Sequence, residues 1–74
     1  MEAILEVDLG RGWKAERLTT SEGPIVLIAL KSCTGECSKA RLDIEKGMFL
    51  DPPFLKPEQS RMQTLLEEIR SISR

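Results

Sequence analysis

The first twenty residues alternate between apolar and polar positions in a way that is typical of β-strands. From residue 3 to residue 9 the odd positions are apolar, and Glu6 and Asp8 lie between them. This period of two predicts a half-buried strand over 3–9. A glycine-rich break follows, and residues 13–20 end in β-branched threonines, which favours a second strand there.

Two further strands are predicted after the turn residues Ser21–Pro24. Residues 24–33 contain a run, Ile25–Leu30, that is apolar at both parities, as expected for a strand covered on both faces. A hairpin turn at residues 34–36 leads into a fourth strand over 38–50. The even-numbered apolar residues of this strand are predicted to face the core, and they are Ala40, Leu42, Ile44, Met48 and Leu50. The odd-numbered residues are mostly charged and include Phe49.

The last third of the chain predicts a linker and a helix. Residues 51–56 hold Pro52 and Pro53, which exclude helix interior and indicate a stiff connector. The helix is predicted over 57–72, because Pro57 suits a first helical turn. The apolar stripe of this helix consists of Met62, Leu65, Leu66, Ile69 and Ile72.

These elements predict a single α+β domain over residues 1–74. Its fold is a four-stranded antiparallel β-meander followed by one C-terminal amphipathic helix. One helix covers only one face of such a sheet, yet the third strand is apolar on both faces. The sequence therefore predicts that a second copy of the chain covers the other face, which makes the protein a homodimer.

Composition narrows the classes of function. The 74 residues contain no histidine and two cysteines, and the formal net charge is −1. We expect no metal and no cofactor, since two thiols supply half of a structural zinc site. Without histidine a non-catalytic protein is expected. The alternative of a small enzyme depends on Asp43 and Glu45, which lie on one strand face. The start of the chain and its short apolar runs predict a cytoplasmic protein outside the membrane.

The near-neutral net charge conceals a basic middle. Residues 10–41 hold six bases and three acids, and Trp13 lies among those bases. Basic and aromatic side chains together are the groups that single-stranded nucleic acids use for phosphate contact and base stacking. The predicted contact residues are Trp13, Lys14, Arg17, Lys31, Lys39 and Arg41. A core position for the tryptophan is the alternative.

Cys33 and Cys37 flank the predicted hairpin turn with three residues between them. This spacing differs from the two-residue spacing of common redox and zinc motifs. Ordinary thiols and a reducible disulfide between the two cysteines both remain open from the sequence.

Three short segments resemble the transcriptional-coactivator family that binds single-stranded DNA, and the Whirly-like proteins of similar topology. They are Gly12-Trp13-Lys14 at the second strand, Lys46-Gly47-Met48-Phe49-Leu50 in the last strand, and Pro57-Glu58-Gln59 at the helix start. The resemblance implies a homodimer whose sheets bind unpaired DNA without catalysis. It also implies that Trp13 and Lys14 face DNA, and it adds Lys46 to the binding residues.

The sequence thus predicts a homodimeric single-stranded DNA- or RNA-binding protein with a role in transcription. The alternative is a protein interaction or assembly module that uses the apolar third strand.

Overall fold

The computed structural model describes residues 2–72, the side chains of Thr20 and Ser21 excepted, so both ends of the predicted 1–74 domain lie outside it. It consists of an antiparallel sheet in chain order and one C-terminal helix. The strands are β1 (Ala3–Gly10), β2 (Trp13–Glu22), β3 (Ile25–Ser32), β4 (Cys37–Asp43) and β5 (Met48–Asp51), and the helix is α1 (Gln59–Ile72). The predicted α+β class, the antiparallel meander and the C-terminal helix are confirmed. The sheet has five strands, where the sequence predicts four.

The difference arises because the predicted fourth strand is interrupted by a turn over residues 44–47. Oδ1 of Asp43 accepts hydrogen bonds from the amides of Glu45 and Lys46 at 3.0 and 3.1 Å. The Gly47 amide donates to the Asp43 carbonyl at 2.8 Å, and Gly47 has a φ of 67°, which favours glycine. The chain therefore reverses here, and β5 pairs antiparallel with β4.

This turn also changes which side chains of β5 reach the core. Phe49 is 7% exposed and joins the core, whereas Met48 and Leu50 are 51% and 38% exposed. The prediction that Met48 and Leu50 face the core with Ala40 was wrong. Its premise of one uninterrupted strand does not hold, because the turn folds β5 back so that Phe49 is opposite the core residue Leu42.

The weak alternation of the second strand has a structural cause as well. The pairing of β2 with β3 shifts twice, between Ala15 and Arg17 and between Leu18 and Thr20. These β-bulges allow Ala15 and Leu18 both to be buried although three positions separate them. A strict period of two is therefore lost in the sequence while the strand continues.

Helix α1 lies against one face of the sheet, which we call the core face. Its buried residues Met62, Leu65 and Ile69 belong to one core cluster with the even-numbered residues of β3 and the odd-numbered residues of β1, and β1 is the strand that the helix approaches most closely. Arg61 fixes the start of the helix to β1, because its Nη1 donates to the Asp8 carbonyl at 3.1 Å. The helix begins at Gln59, two residues after the predicted start, and buried Leu55 anchors the connector before it.

Candidate nucleic-acid interface

The sheet face that points away from α1, which we call the open face, carries five of the predicted contact residues. Ala15, Leu18, Ala40 and Leu42 are buried on the core face, so the residues that alternate with them point the other way. The exposed bases that result are Lys14, Arg17, Lys31, Lys39 and Arg41. They come from three adjacent strands, β2, β3 and β4.

Strand register brings three of these bases together. Lys14 lies directly opposite Lys31 across β2 and β3, and Lys39 on β4 is opposite Ala29, two residues before Lys31. We call Lys14, Lys31 and Lys39 the lysine cluster. Within residues 2–72, no carboxylate lies within 4.0 Å of any of the three ammonium groups. Like charges directly opposite each other destabilise an antiparallel pair. Asp8 lies opposite Lys14 on β1, but its carboxylate is within 4.0 Å of Arg61 and not of Lys14, so the ammonium groups of the cluster lack a direct ion pair among the described residues.

Each of the two arginines of the open face has an acidic partner. Arg41 contacts Oδ2 of Asp51 through Nη2 at 2.7 Å and through Nε at 2.9 Å. Arg17 lies 4.0 Å from a carboxylate oxygen of Glu2. All four side chains are half exposed or more, and exposed ion pairs contribute about 0–1 kcal/mol. A phosphate can therefore compete for Arg17 at little cost, whereas at Arg41 it has to compete with the two short hydrogen bonds to Asp51.

Between these bases lie the odd-numbered residues of β3. Leu27 is opposite Arg41, and Ala29 lies between Arg17 and Lys39 in the register of the sheet. Ile25, Leu27 and Ala29 are each partly buried, although no helix covers this face. The aliphatic stems of long basic side chains can cover neighbouring apolar surface in this way. The apolar third strand is therefore partly covered within one copy of the chain.

The β1 side of the open face differs in charge. A depression of about 450 Å³ there is lined by Ile4, Lys14, Arg17 and Ala29 together with the carboxylates of Glu2, Glu6 and Glu16. Glu16 belongs to β2 and Asp8 lies opposite Lys14 on β1, so acidic side chains reach as far as β2, and positive charge without acidic neighbours is concentrated on the β3–β4 side. An anionic ligand is expected to follow the β3–β4 side and to avoid β1.

Trp13 and Lys46 are not part of the lysine cluster, although Trp13 lines a depression of about 320 Å³ together with Lys14 and Lys31. Trp13 is partly buried on the core face, where it packs against the core and against Phe54 with 6.2 Å between ring centroids. Its side chain therefore points to the side opposite Lys14. Lys46 is exposed in the turn over residues 44–47, at the end of β4 remote from Lys39. The structure gathers five of the seven predicted residues on one face and separates these two from them.

The two cysteines are free and exposed. Cys33 lies beside the β1–β2 turn, where its amide donates to the Gly12 carbonyl at 2.7 Å. Cys37 is opposite Lys31 at the margin of the lysine cluster. No disulfide joins the two cysteines.

Acidic groups offer no second site. Asp43 is buried and bonds the turn amides, while Glu45 is exposed. In the part of the chain that the structure describes, no three histidine, cysteine or carboxylate side chains are placed to hold a metal ion.

The opposition of Lys14 and Lys31 is the feature that sequence reasoning missed. If the pairing of β2 with β3 continued from the Glu22–Ile25 pair without a bulge, Lys31 would lie opposite Glu16, an oppositely charged partner. The two bulges of β2 move Lys14 into that position instead. Only the weak alternation of residues 13–20 hints at those bulges in the sequence.

Comparisons with protein-family models, with curated proteins and with solved structures find no match to this chain. Over residues 2–72, the single helix is too short and too polar to cross a membrane.

Proposed function

We propose that the protein binds single-stranded nucleic acid without catalysis and that the open face is the contact surface. The observation that carries this proposal is the lysine cluster, in which Lys14 faces Lys31 and neither ammonium group has a described carboxylate within 4.0 Å, although Asp8 lies opposite Lys14 on β1. Phosphate groups can pair with these ammonium groups, and release of their counterions drives such binding. Arg17 and Arg41 extend the positive surface on both sides of Ala29 and Leu27.

The shape and chemistry of the surface favour an unpaired strand over a duplex. Reading a duplex groove needs a helix or a two-stranded ribbon that projects into it. Here the helix lies with its apolar side on the sheet, and its exposed side carries Glu67 and Glu68. The open face instead presents half-buried Leu27 and Ala29 beside the bases, where unstacked bases and sugars can pack.

The described part of the open face has no aromatic side chain, because Trp13 and Phe49 belong to the core face. Base stacking on aromatic rings therefore contributes nothing at this surface. We expect affinity to come from phosphate contacts, to lie near the non-specific range of about 10⁻⁴–10⁻⁶ M, and to depend strongly on salt.

The resemblance to the transcriptional-coactivator and Whirly-like proteins supports the proposal that a sheet surface binds single-stranded nucleic acid. Those proteins present sheet surfaces to unpaired DNA. The present chain also has antiparallel strands followed by a C-terminal helix, with five strands where that resemblance implies four. A role in transcription is part of the proposal. A cytoplasmic location is also proposed, since exposed free thiols such as Cys33 and Cys37 are typical of reducing compartments.

The assembly-module alternative depends on bare apolar surface along β3. Val26, Ile28 and Leu30 are used by the core, and Ile25, Leu27 and Ala29 are partly covered. The open face of β3 therefore favours an anionic ligand over an apolar partner.

The test is fluorescence anisotropy with labelled single-stranded oligonucleotides at increasing potassium chloride concentration. For the double variant Lys14→Gln/Lys31→Gln, the plot of log affinity against log salt should be less steep by about 1.4, because each lost phosphate contact removes about 0.7. Lys56→Gln, in the connector, is the matched control and should behave as wild type. Preference for duplex, salt-independent binding, or an unchanged double variant would contradict the proposal.

A further inference from the structure

The two edges of the sheet are protected to very different degrees. On the edge strand β1, Glu2, Glu6 and Asp8 place negative charge along or beside the strand. Arg61 also occupies the Asp8 carbonyl with a 3.1 Å hydrogen bond and lies 3.5 Å from the carboxylate of Asp8. Charged side chains and bonded edge carbonyls are the usual means by which an edge strand avoids pairing with another chain.

The opposite edge, β5, is less protected by charge. Its one charged residue is Asp51 at the C-terminal end, where the carboxylate is paired with Arg41 and two prolines follow. Met48, Phe49 and Leu50 are uncharged, and Met48 and Leu50 are among the few large apolar residues that are exposed. Among the described strands β5 pairs with β4 alone, so its outer N–H and C=O groups face away from the sheet. An apolar groove of about 330 Å³ lies alongside, between Met48 and Phe49 of β5 and Leu55 and Met62 below.

We propose that β5 is a dimer interface at which it pairs antiparallel with β5 of a second copy of this chain. Such pairing satisfies the outer backbone groups of Met48–Asp51 in both copies and joins the two sheets into one. It also lets the exposed Met48 and Leu50 side chains of the two copies pack against each other. This inference does not depend on nucleic-acid binding.

The charges that flank β5 favour a second copy as the occupant. Lys46 precedes the strand and Asp51 ends it. In an antiparallel two-fold pairing, the Lys46 end of one strand lies beside the Asp51 end of the other, so opposite charges meet at both ends. In a parallel arrangement like charges would meet instead.

Pairing through β5 would also place the open faces of the two copies side by side. A two-fold axis perpendicular to the sheet keeps the open faces of both copies on the same side. The lysine clusters of the two copies would then form one continuous surface with two positive regions. The homodimer expected from the apolar third strand is thereby assigned to β5 instead of β3.

Sedimentation velocity over a wide range of protein concentration tests the proposal. Wild type should shift from monomer to dimer, and the variant Met48→Lys/Leu50→Lys should stay monomeric, because charge on an edge strand opposes pairing. Ile4→Lys, an exposed apolar position at 71% exposure on the other edge, is the matched control and should dimerise. Circular dichroism confirms that each variant is folded.

Amide hydrogen exchange of the wild type provides a second readout that needs no variant. At high concentration the amides of Met48–Asp51 should gain protection, while those of β1 should not. A wild type that is monomeric at every concentration, a charged double variant that still dimerises, or a dimer without added β5 protection would each overturn the proposal. Nucleic-acid binding by the monomeric variant at low concentration would separate the two proposals.

Discussion

Asp43 shows how one side chain can redirect the chain. Its Oδ1 accepts two turn amides, at 3.0 and 3.1 Å, although the carboxylate belongs to a residue that is only 8% exposed. From the sequence this residue is predicted on a charged strand face beside Glu45. The pattern gives only a weak sign of the turn, because Ile44 and Met48 share one parity and only Lys46 and Gly47, where a bulge or bend is predicted, interrupt the alternation.

The first prediction concerns this acceptor. Asp43→Ala leaves two turn amides without their partner, and we expect a loss of about 1–3 kcal/mol in the free energy of unfolding. Asp43→Asn keeps an acceptor oxygen and should cost less. Urea denaturation followed by circular dichroism measures both. The exposed neighbour Glu45→Ala is the control, expected within about 0.5 kcal/mol of wild type; equal losses for Asp43→Ala and Glu45→Ala would contradict the role given to Asp43.

For Lys14 and Lys31 the sequence predicts the chemistry of each residue but not their position relative to each other. The sequence shows that both residues are basic, and the alternation along β3 places the Lys31 side chain on the sheet face that the core residue Leu30 does not occupy. Their direct opposition depends on two bulges that no local motif encodes. The chemistry of the candidate site is thus predictable residue by residue, whereas its geometry is not.

At the scale of elements, strong periodicity was the most reliable signal. The odd-numbered residues of β1 and the even-numbered residues of β3 are buried as their pattern predicts, and the stripe of α1 packs on the sheet. The elements that differ are β4 and β5, which a short turn divides, and the start of α1. Turn geometry of this kind depends on side-chain hydrogen bonds, which the hydrophobic pattern does not encode.

A prediction at this scale tests the packing of the helix. Leu65 is fully buried at 0% exposure, and Leu65→Ala should lower the free energy of unfolding by about 2–5 kcal/mol, because it leaves a cavity under the sheet. The exposed residue Gln63 lies on the other side of α1, and Gln63→Ala should leave stability nearly unchanged. Thermal and urea unfolding give both values. A small effect of Leu65→Ala would mean that α1 is not packed as described.

At the scale of the whole molecule, the sheet separates two environments. The core face holds both Trp13 and Phe49 under α1 and the connector, and the open face holds the lysine cluster. The sequence predicted aromatic and basic residues on one surface, because neighbours in sequence such as Trp13 and Lys14 look close. In a strand such neighbours point to opposite faces, which is why the face carries bases without aromatic rings.

The central claim is that the open face binds unpaired nucleic acid through the lysine cluster. Its most direct test is a titration of isotope-labelled protein with a single-stranded oligonucleotide at low salt, followed by amide and lysine side-chain chemical shifts. The account predicts the largest shifts at Lys14, Lys31 and Lys39 and small shifts along α1. Shifts centred on α1 or on the Trp13–Phe54 cleft, or no shifts at any site, would contradict it.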